Sequence, residues 1–172
     1  FFGMTNAKEY AEYDKLSAEV SIIREKIKNG SKIRVIGDYD GDGVSATTIL
    51  VKGLRYAGAD VDAVIPHRIK DGYGLNVGII ENASSDQIDT IITCDNGISA
   101  YNEIKLAKEL GMTVIVTDHH EVPRGEGDNY IIPPADAVVD PKQEDCNYPF
   151  KGICGAVVAL RVMECLFDAI GM

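Results

Sequence analysis

Three short stretches of this 172-residue chain concentrate the side chains that could do chemistry. Gly37-Asp38-Tyr39-Asp40-Gly41-Asp42-Gly43 alternates carboxylates along a glycine-rich run. Carboxylates this close repel one another unless a cation neutralises them, which points to a hard divalent metal. Thr93-Cys94-Asp95-Asn96-Gly97 offers a further carboxylate. Thr117-Asp118-His119-His120-Glu121 sets two of the chain's three histidines side by side. Imidazole is a good ligand for manganese or zinc, and an adjacent carboxylate can fix its tautomer. The first run opens like a calcium EF-hand loop. The twelfth position counted from Asp38 is Ile49 rather than glutamate, and a strand precedes it where a helix should stand, so that reading is rejected.

Two further stretches carry weaker chemistry. In Pro66-His67-Arg68-Ile69-Lys70-Asp71-Gly72-Tyr73-Gly74-Leu75, Arg68 and Lys70 could hold phosphate oxygens and Tyr73 could stack on a base. In Gly152-Ile153-Cys154-Gly155-Ala156, the backbone N–H groups at the start of a helix near Gly155 suit a phosphate. Each has a plainer alternative: an ordinary basic loop, and a glycine needed for a tight turn. Likewise the Asp38–Asp42 run could merely cap the next helix, and Asp95 could be a cap of its own.

The elements that must position these residues follow from apolar spacing. Residues 7–29 read as a leading helix, with Tyr10, Leu16, Val20, Ile23 and Ile27 on one face, Thr5 or Asn6 as its cap and Gly30 as its stop. Strands are expected at Ile33–Ile36, Val61–Ile65, Thr90–Thr93, Thr113–Thr117 and Ala137–Val139. Helices are expected at Val44–Tyr56, Asn76–Asn82, Ser99–Leu110 and Ala156–Ala169. This alternation predicts an α/β fold: a mostly parallel sheet of about five strands with helices on both faces. The carboxylates and imidazoles, Asp140 included, then all fall at carboxyl ends of strands, the edge where open parallel sheets bind ligands. Residues 1–30 read as the leading helix and 31–172 as one lobe.

Composition narrows the classes. Seventeen basic against 27 acidic residues leave a formal charge of −10, so affinity for nucleic acid cannot be argued from total charge. No apolar run approaches the ~18 residues of a membrane span, and no secretory leader is visible. Cys94, Cys146, Cys154 and Cys165 form no C-x-x-C pair and read as reduced, mostly buried thiols of a cytoplasmic protein. The start, Phe1-Phe2-Gly3, and the end, Ala169-Ile170-Gly171-Met172, read as the inside of a longer protein.

Taken together and in this order, Gly37–Gly43, Cys94-Asp95-Asn96-Gly97 and Asp118-His119-His120 resemble the DHH phosphoesterases. Gly72-Tyr73-Gly74-Leu75 and Tyr148–Ala156 resemble that family's single-strand-specific 5′-to-3′ DNA exonucleases, where Gly41 often stands as alanine. The resemblance implies a metal-dependent phosphodiesterase with two Mn2+ or Mg2+ ions and single-stranded DNA as substrate. It further implies roles in DNA repair and recombination, and a single-strand-binding protein as a partner. It implies Asp38, Asp40, Asp42, Asp95 and His119 as ligands, with Asp95 bridging. His120 would face the phosphate, and Asp118 would orient or ligate. The family's fourth ligand, an aspartate after the last helix, lies outside this sequence, and Asp140 is not put in its place. Three other readings stay open: a phosphodiesterase for short oligonucleotides or cyclic dinucleotides, a DHH-like scaffold in a replication assembly, and a phosphatase. In the phosphatase reading, Asp40-Gly41-Asp42-Gly43-Val44 resembles the haloacid-dehalogenase signature, with Asp40 as nucleophile and Asp42 as acid. That would leave Asp118-His119-His120 without a task.

Overall fold

The computed structural model describes residues 14–67 and 74–172. Five short strands, β1 (Lys32–Ile36), β2 (Asp60–Val64), β3 (Thr90–Cys94), β4 (Thr113–Thr117) and β5 (Ala137–Val139), form one sheet in the order β2-β1-β3-β4-β5. Every pairing is parallel. The β-branched runs Thr90-Ile91-Ile92-Thr93 and Thr113-Val114-Ile115-Val116-Thr117 favour a pleated backbone, and the central strands are buried along most of their length. The parallel α/β expectation is met, with strand limits within one or two residues of those read from the sequence.

Among the described residues, five helices connect or flank these strands: α1 (Asp14–Lys28), α2 (Gly41–Tyr56), α3 (Val77–Ser85), α4 (Tyr101–Glu109) and α5 (Gly155–Ile170). A 3-10 turn at Glu126–Asp128 lies in the β4–β5 connection. Side chains alternate across a strand, so each strand feeds two cores. On one face Ile33, Val35, Ile92, Cys94 and Ile115 meet α1, α2 and α5 through residues such as Ile23, Leu50 and Leu166. On the other, Ile36, Ile91, Val114 and Val116 meet Ile80 and Ala83 of α3 and Ile104 and Ala107 of α4. Arg34 is a charged residue buried within β1. Its guanidinium makes two bonds of 2.8 and 2.6 Å to Asp62 and lies 2.9 Å from Asp86, tying β1 to β2 and to the end of α3.

This winding locates the functional edge. The chain leaves β1 through α2 to the outer strand β2, then returns through α3 past β1 to β3. Adjacent strands β1 and β3 therefore send their connections to opposite faces of the sheet. A crevice opens at their carboxyl ends, the switch point where such sheets bind ligands. Asp38 follows β1 and Asp95 follows β3 at that point.

The cysteines differ in part from expectation. All four are free thiols, but only Cys94 and Cys165 are buried, while Cys154 is exposed. Burial pushes the Cys94 thiol up to about 12 and the Cys165 thiol to about 11. Among the described residues, no helix is long and apolar enough to cross a membrane.

Candidate metal centre

The glycine-rich run between β1 and α2 is half loop and half helix. Asp40 is the N-cap of α2, and its Oδ1 accepts bonds of 2.9 Å from the amides of Asp42 and Gly43. The helix therefore begins at Gly41, three residues before the position read from the sequence, because the cap outweighs the low helix propensity of Gly41 and Gly43. Asp38 is buried, with one carboxylate oxygen lacking any hydrogen bond. Burial, and then the charges of Asp40 and Asp118, raise its pKa. Thr47 of α2 braces the run from beneath: its hydroxyl donates to the Gly43 carbonyl at 2.7 Å and lies 3.4 Å from Cys94 Sγ. A Cβ on Gly37 would fall 1.9 Å from that hydroxyl oxygen, so only glycine fits there.

Past β3, Asp95 adopts φ +61°, a left-handed conformation unusual for a residue with a side chain. Its amide still extends the ladder to the Thr117 carbonyl at 3.0 Å. Buried Asn96 pins the turn, donating from Nδ2 to the carbonyls of Ile36 and Cys94 at 3.1 and 2.9 Å. The helix that follows begins at Tyr101 with Ala100 as its cap residue, so Asp95 is not spent on capping.

Asp118 follows β4 and is buried. Its carboxylate accepts from the amides of Ile98 at 2.9 Å and His119 at 2.7 Å, and sits 2.7 Å from His120 Nδ1. Burial alone would raise its pKa. The bonds from His120, Ile98 and His119 outweigh it and hold the carboxyl below its usual value. The same contact raises the pKa of His120. Asp118 thus orients the histidine pair, which leaves the other imidazole, His119, turned toward Asp95 and Asp42, 2.9 and 3.5 Å away.

These segments converge into two groups whose ligand atoms all lie within 4.8 Å of one another: Asp38, Asp40 and Asp95, and Asp95, His119 and His120. Asp95 belongs to both. Burial, then the charges of Asp42 and Asp40, push its carboxyl up to about 7. Buried carboxylate oxygens of Asp38 and Asp95 with no hydrogen-bond partner are what a cation would satisfy, so the donor set fits divalent metal.

Of the other expected residues, Arg68, Lys70 and Tyr73 lie outside the described residues. Gly155 does open α5, but its amide and that of Ala156 donate to the Asp42 carboxylate at 2.7 and 2.8 Å. A side chain of the chain itself therefore occupies the helix start proposed for a phosphate. Asp140 is buried at the end of β5 and belongs to neither group. Burial raises its pKa to about 7. Thr47 and Asn96 escaped the sequence reading as site-building residues. The Asp-Asn-Gly turn directly after a buried strand was the available clue for Asn96.

A parallel sheet with this rim of carboxylates and imidazoles defines a DHH domain. The model of the DHH family, N-terminal domain, matches residues 32–171, and the chain belongs to the DHH family. The haloacid-dehalogenase reading lapses with that assignment. Within the family, the chain is 43% identical over 144 residues to the single-stranded-DNA-specific exonuclease RecJ of Bacillus subtilis (strain 168), covering 84% of this chain and 18% of that protein. A crystal structure of exonuclease RecJ bound to manganese superposes with a TM-score of 0.82 at 34% identity, covering 95% of this chain and 40% of that one. RecJ from Thermus thermophilus in complex with Mn2+ gives 0.75 at 32% identity, covering 94% and 22%. The chain thus spans less than half the length of each of these relatives.

Proposed function

We propose that this chain is the metal-binding lobe of a RecJ-like exonuclease that hydrolyses single-stranded DNA from the 5′ end. The observation that carries this reading is Asp95, a buried carboxylate common to two ligand groups, one rich in carboxylates and one in imidazoles. Its proposed role is to bridge two metal positions. Asp38 and Asp40 would hold one ion and His119 the other. Asp42 faces His119 and would contribute charge at that second position. Mn2+ or Mg2+ bound there would supply the charge that activates water and stabilises the leaving oxygen of a phosphodiester.

The chain's own groups do the rest. Asp118 fixes the His120 ring, and the raised pKa of His120 favours a positive charge that it can present to a phosphoryl oxygen. Arg68, Lys70 and Tyr73 are the proposed contacts to the strand. The described residue that follows them, Gly74, packs against Asn96 at this rim. No protein nucleophile is needed. Roles in DNA repair and recombination, in the cytoplasm, go with that substrate.

The test is titration of Mn2+ into the chain beside His119→Ala, followed by hydrolysis of single-stranded DNA labelled at either end. The hydrolysis is run in a protein of the relatives' full length that carries this segment. Expected are sharply weaker binding in the variant and early release of the 5′ label by the wild type alone. Preferential cleavage of dinucleotides over long strands would move the substrate to short oligonucleotides.

A further inference from the structure

We infer that the first turn of α5 is the clamp that brings Asp42 and Asp95 to one centre, with Gly155 as its positioning residue. The consequence for metal rests on the reading proposed above; the contacts stand without it. Asp42 lies in the first turn of α2 and Asp95 just past β3. Neither is a neighbour of α5 in sequence, and 113 residues separate Asp42 from Gly155. Yet both oxygens of Asp42 are taken by α5: Oδ2 by the Gly155 amide at 2.7 Å and Oδ1 by the Ala156 amide at 2.8 Å. The positive end of the α5 dipole adds to these bonds and fixes the direction in which the carboxylate faces.

The same residue meets Asp95 on its other side. A Cβ built on Gly155 would fall 2.4 Å from Asp95 Oδ1, 2.8 Å from its Cγ and 2.9 Å from its Cβ. That Oδ1 is the oxygen 2.9 Å from His119 Nε2. A side chain at position 155 would therefore push directly on a proposed ligand atom. Asp95 has little room to yield, being buried at φ +61° beside an Asn96 held by two backbone carbonyls. Nor can α5 readily retreat. Val158, Val162 and Leu166 anchor it in the core, and a Cβ on Gly53 of α2 would lie only 2.6 Å from the Met163 methyl. Two carboxylates from separate segments thus meet across one glycine, which donates to the first and leaves room for the second.

Two independent readouts test this. Without metal, exchange of the Gly155 and Ala156 amide hydrogens is compared in wild type and Asp42→Asn. Loss of the charged acceptor should accelerate it by about tenfold or more, and unchanged exchange overturns the inference. With metal, Mn2+ is titrated into wild type, Gly155→Ala and His119→Ala. Alanine is the better helix former, so weaker binding in Gly155→Ala reports the contact with Asp95 and not a frayed helix. The expected loss is about tenfold or more, and equal affinity overturns the inference. If wild type and His119→Ala bind alike, or neither binds, the metal reading fails and the exchange result alone decides the clamp. If Gly155→Ala does not fold, Ala156→Pro takes its place. It deletes one donor to Asp42 in a first helical turn, where proline is tolerated, and unchanged Mn2+ affinity there also overturns the inference.

Discussion

His119 Nε2 lies 2.9 Å from Asp95 Oδ1, yet that oxygen accepts no hydrogen bond. Two electron-pair donors held that close without a proton aligned between them suit neighbouring positions around one cation. Donors about 2.1 Å from an ion and at right angles to each other stand about 3 Å apart. Asp42 Oδ2 lies 3.5 Å from the same nitrogen, so carboxylates from two other segments face His119 Nε2.

That geometry sets stability against function at Asp95. Ionised and metal-free, Asp95 is a buried charge that burial, Asp42 and Asp40 all oppose. Asp95→Asn removes the charge and keeps the shape. The variant is expected to unfold at higher denaturant at pH 8 than metal-free wild type, by on the order of 1–3 kcal/mol, because an unfavourable buried charge is gone. In the same protein Mn2+ affinity should collapse. Denaturant titration in EDTA and calorimetry with Mn2+ read the two effects separately. A less stable variant would mean that the carboxylate is structurally satisfied.

Asp118 behaves in the opposite way. Its carboxylate accepts from three backbone amides, those of Ile98, His119 and His120, and contacts the His120 ring. Asp118→Asn leaves a poorer acceptor and a misdirected amide in a buried pocket. A loss of roughly 2–4 kcal/mol is expected from several charge-assisted bonds weakened together. The His120 pKa should fall in the variant, since the Asp118 contact is the main cause of its rise. Histidine proton shifts followed by NMR against pH check this, and an unmoved His120 titration would remove Asp118 as its orienting partner.

The sheet was legible in the sequence because its strands are short β-branched runs punctuated by glycines and acids, a pattern that depends only on local steric preference. The rim was legible for the same reason: Asp38, Asp95 and Asp118 each follow directly on such a run. What escaped depends on contacts between distant segments. Nothing local to Gly155 says that its amide faces Asp42, so the helix start read as a free anion site. Nothing local to Thr47 says that it sits under Gly37. One acid on an amphipathic helix is normally solvated, so nothing local to Glu19 says that it is wholly buried. Asp42 was visible as a carboxylate, but its hold on α5 appears only when the sheet brings the two helices together.

Buried carboxyls give the metal-free chain a characteristic pH dependence. Burial holds Glu19 well above the usual range, and both of its oxygens lack hydrogen bonds. Asp95 and Asp140 are raised to about 7, with burial the first cause in each. Unfolded carboxyls titrate near 4, so between about pH 4 and 7 the folded state binds more protons than the unfolded one. The stabilisation from these groups is complete below about pH 4 and is lost as pH rises, through about 7 for Asp95 and Asp140, at no more than about 1.4 kcal/mol per pH unit for each. The raised pKa of His120 acts in the same direction. Lowered Asp118 and Asp89 act oppositely, failing only as pH falls through the acid range. The thermal midpoint in EDTA should therefore fall between pH 5 and 8. Glu19→Leu should flatten that fall and raise the midpoint at pH 8, since an unpaired buried carboxylate gives way to an apolar side chain. Added Mn2+ should lift the midpoint most at the alkaline end, where its ligands are ionised. A midpoint that rises from pH 5 to 8 in EDTA would contradict the buried placement of these three groups.

Asp40 has two separable tasks, and two substitutions divide them. As N-cap of α2 it accepts from the Asp42 and Gly43 amides through one oxygen, which asparagine can also provide. As a member of the group with Asp38 and Asp95 it offers charge to a cation, which asparagine cannot. Asp40→Asn is expected to keep its unfolding free energy within about 0.5 kcal/mol of metal-free wild type, because asparagine and aspartate rank alike as caps. Asp40→Ala should lose about 1 kcal/mol, the usual cost of a deleted cap. Both should bind Mn2+ weakly, because both lack the charge. Denaturant unfolding in EDTA beside Mn2+ calorimetry separates the outcomes. Wild-type Mn2+ affinity in Asp40→Asn would confine Asp40 to capping and leave the cation to Asp95, His119 and His120. Equal destabilisation by the two substitutions would show that the capping bonds contribute nothing and that the start of α2 is fixed by Thr47 and the packing beneath it.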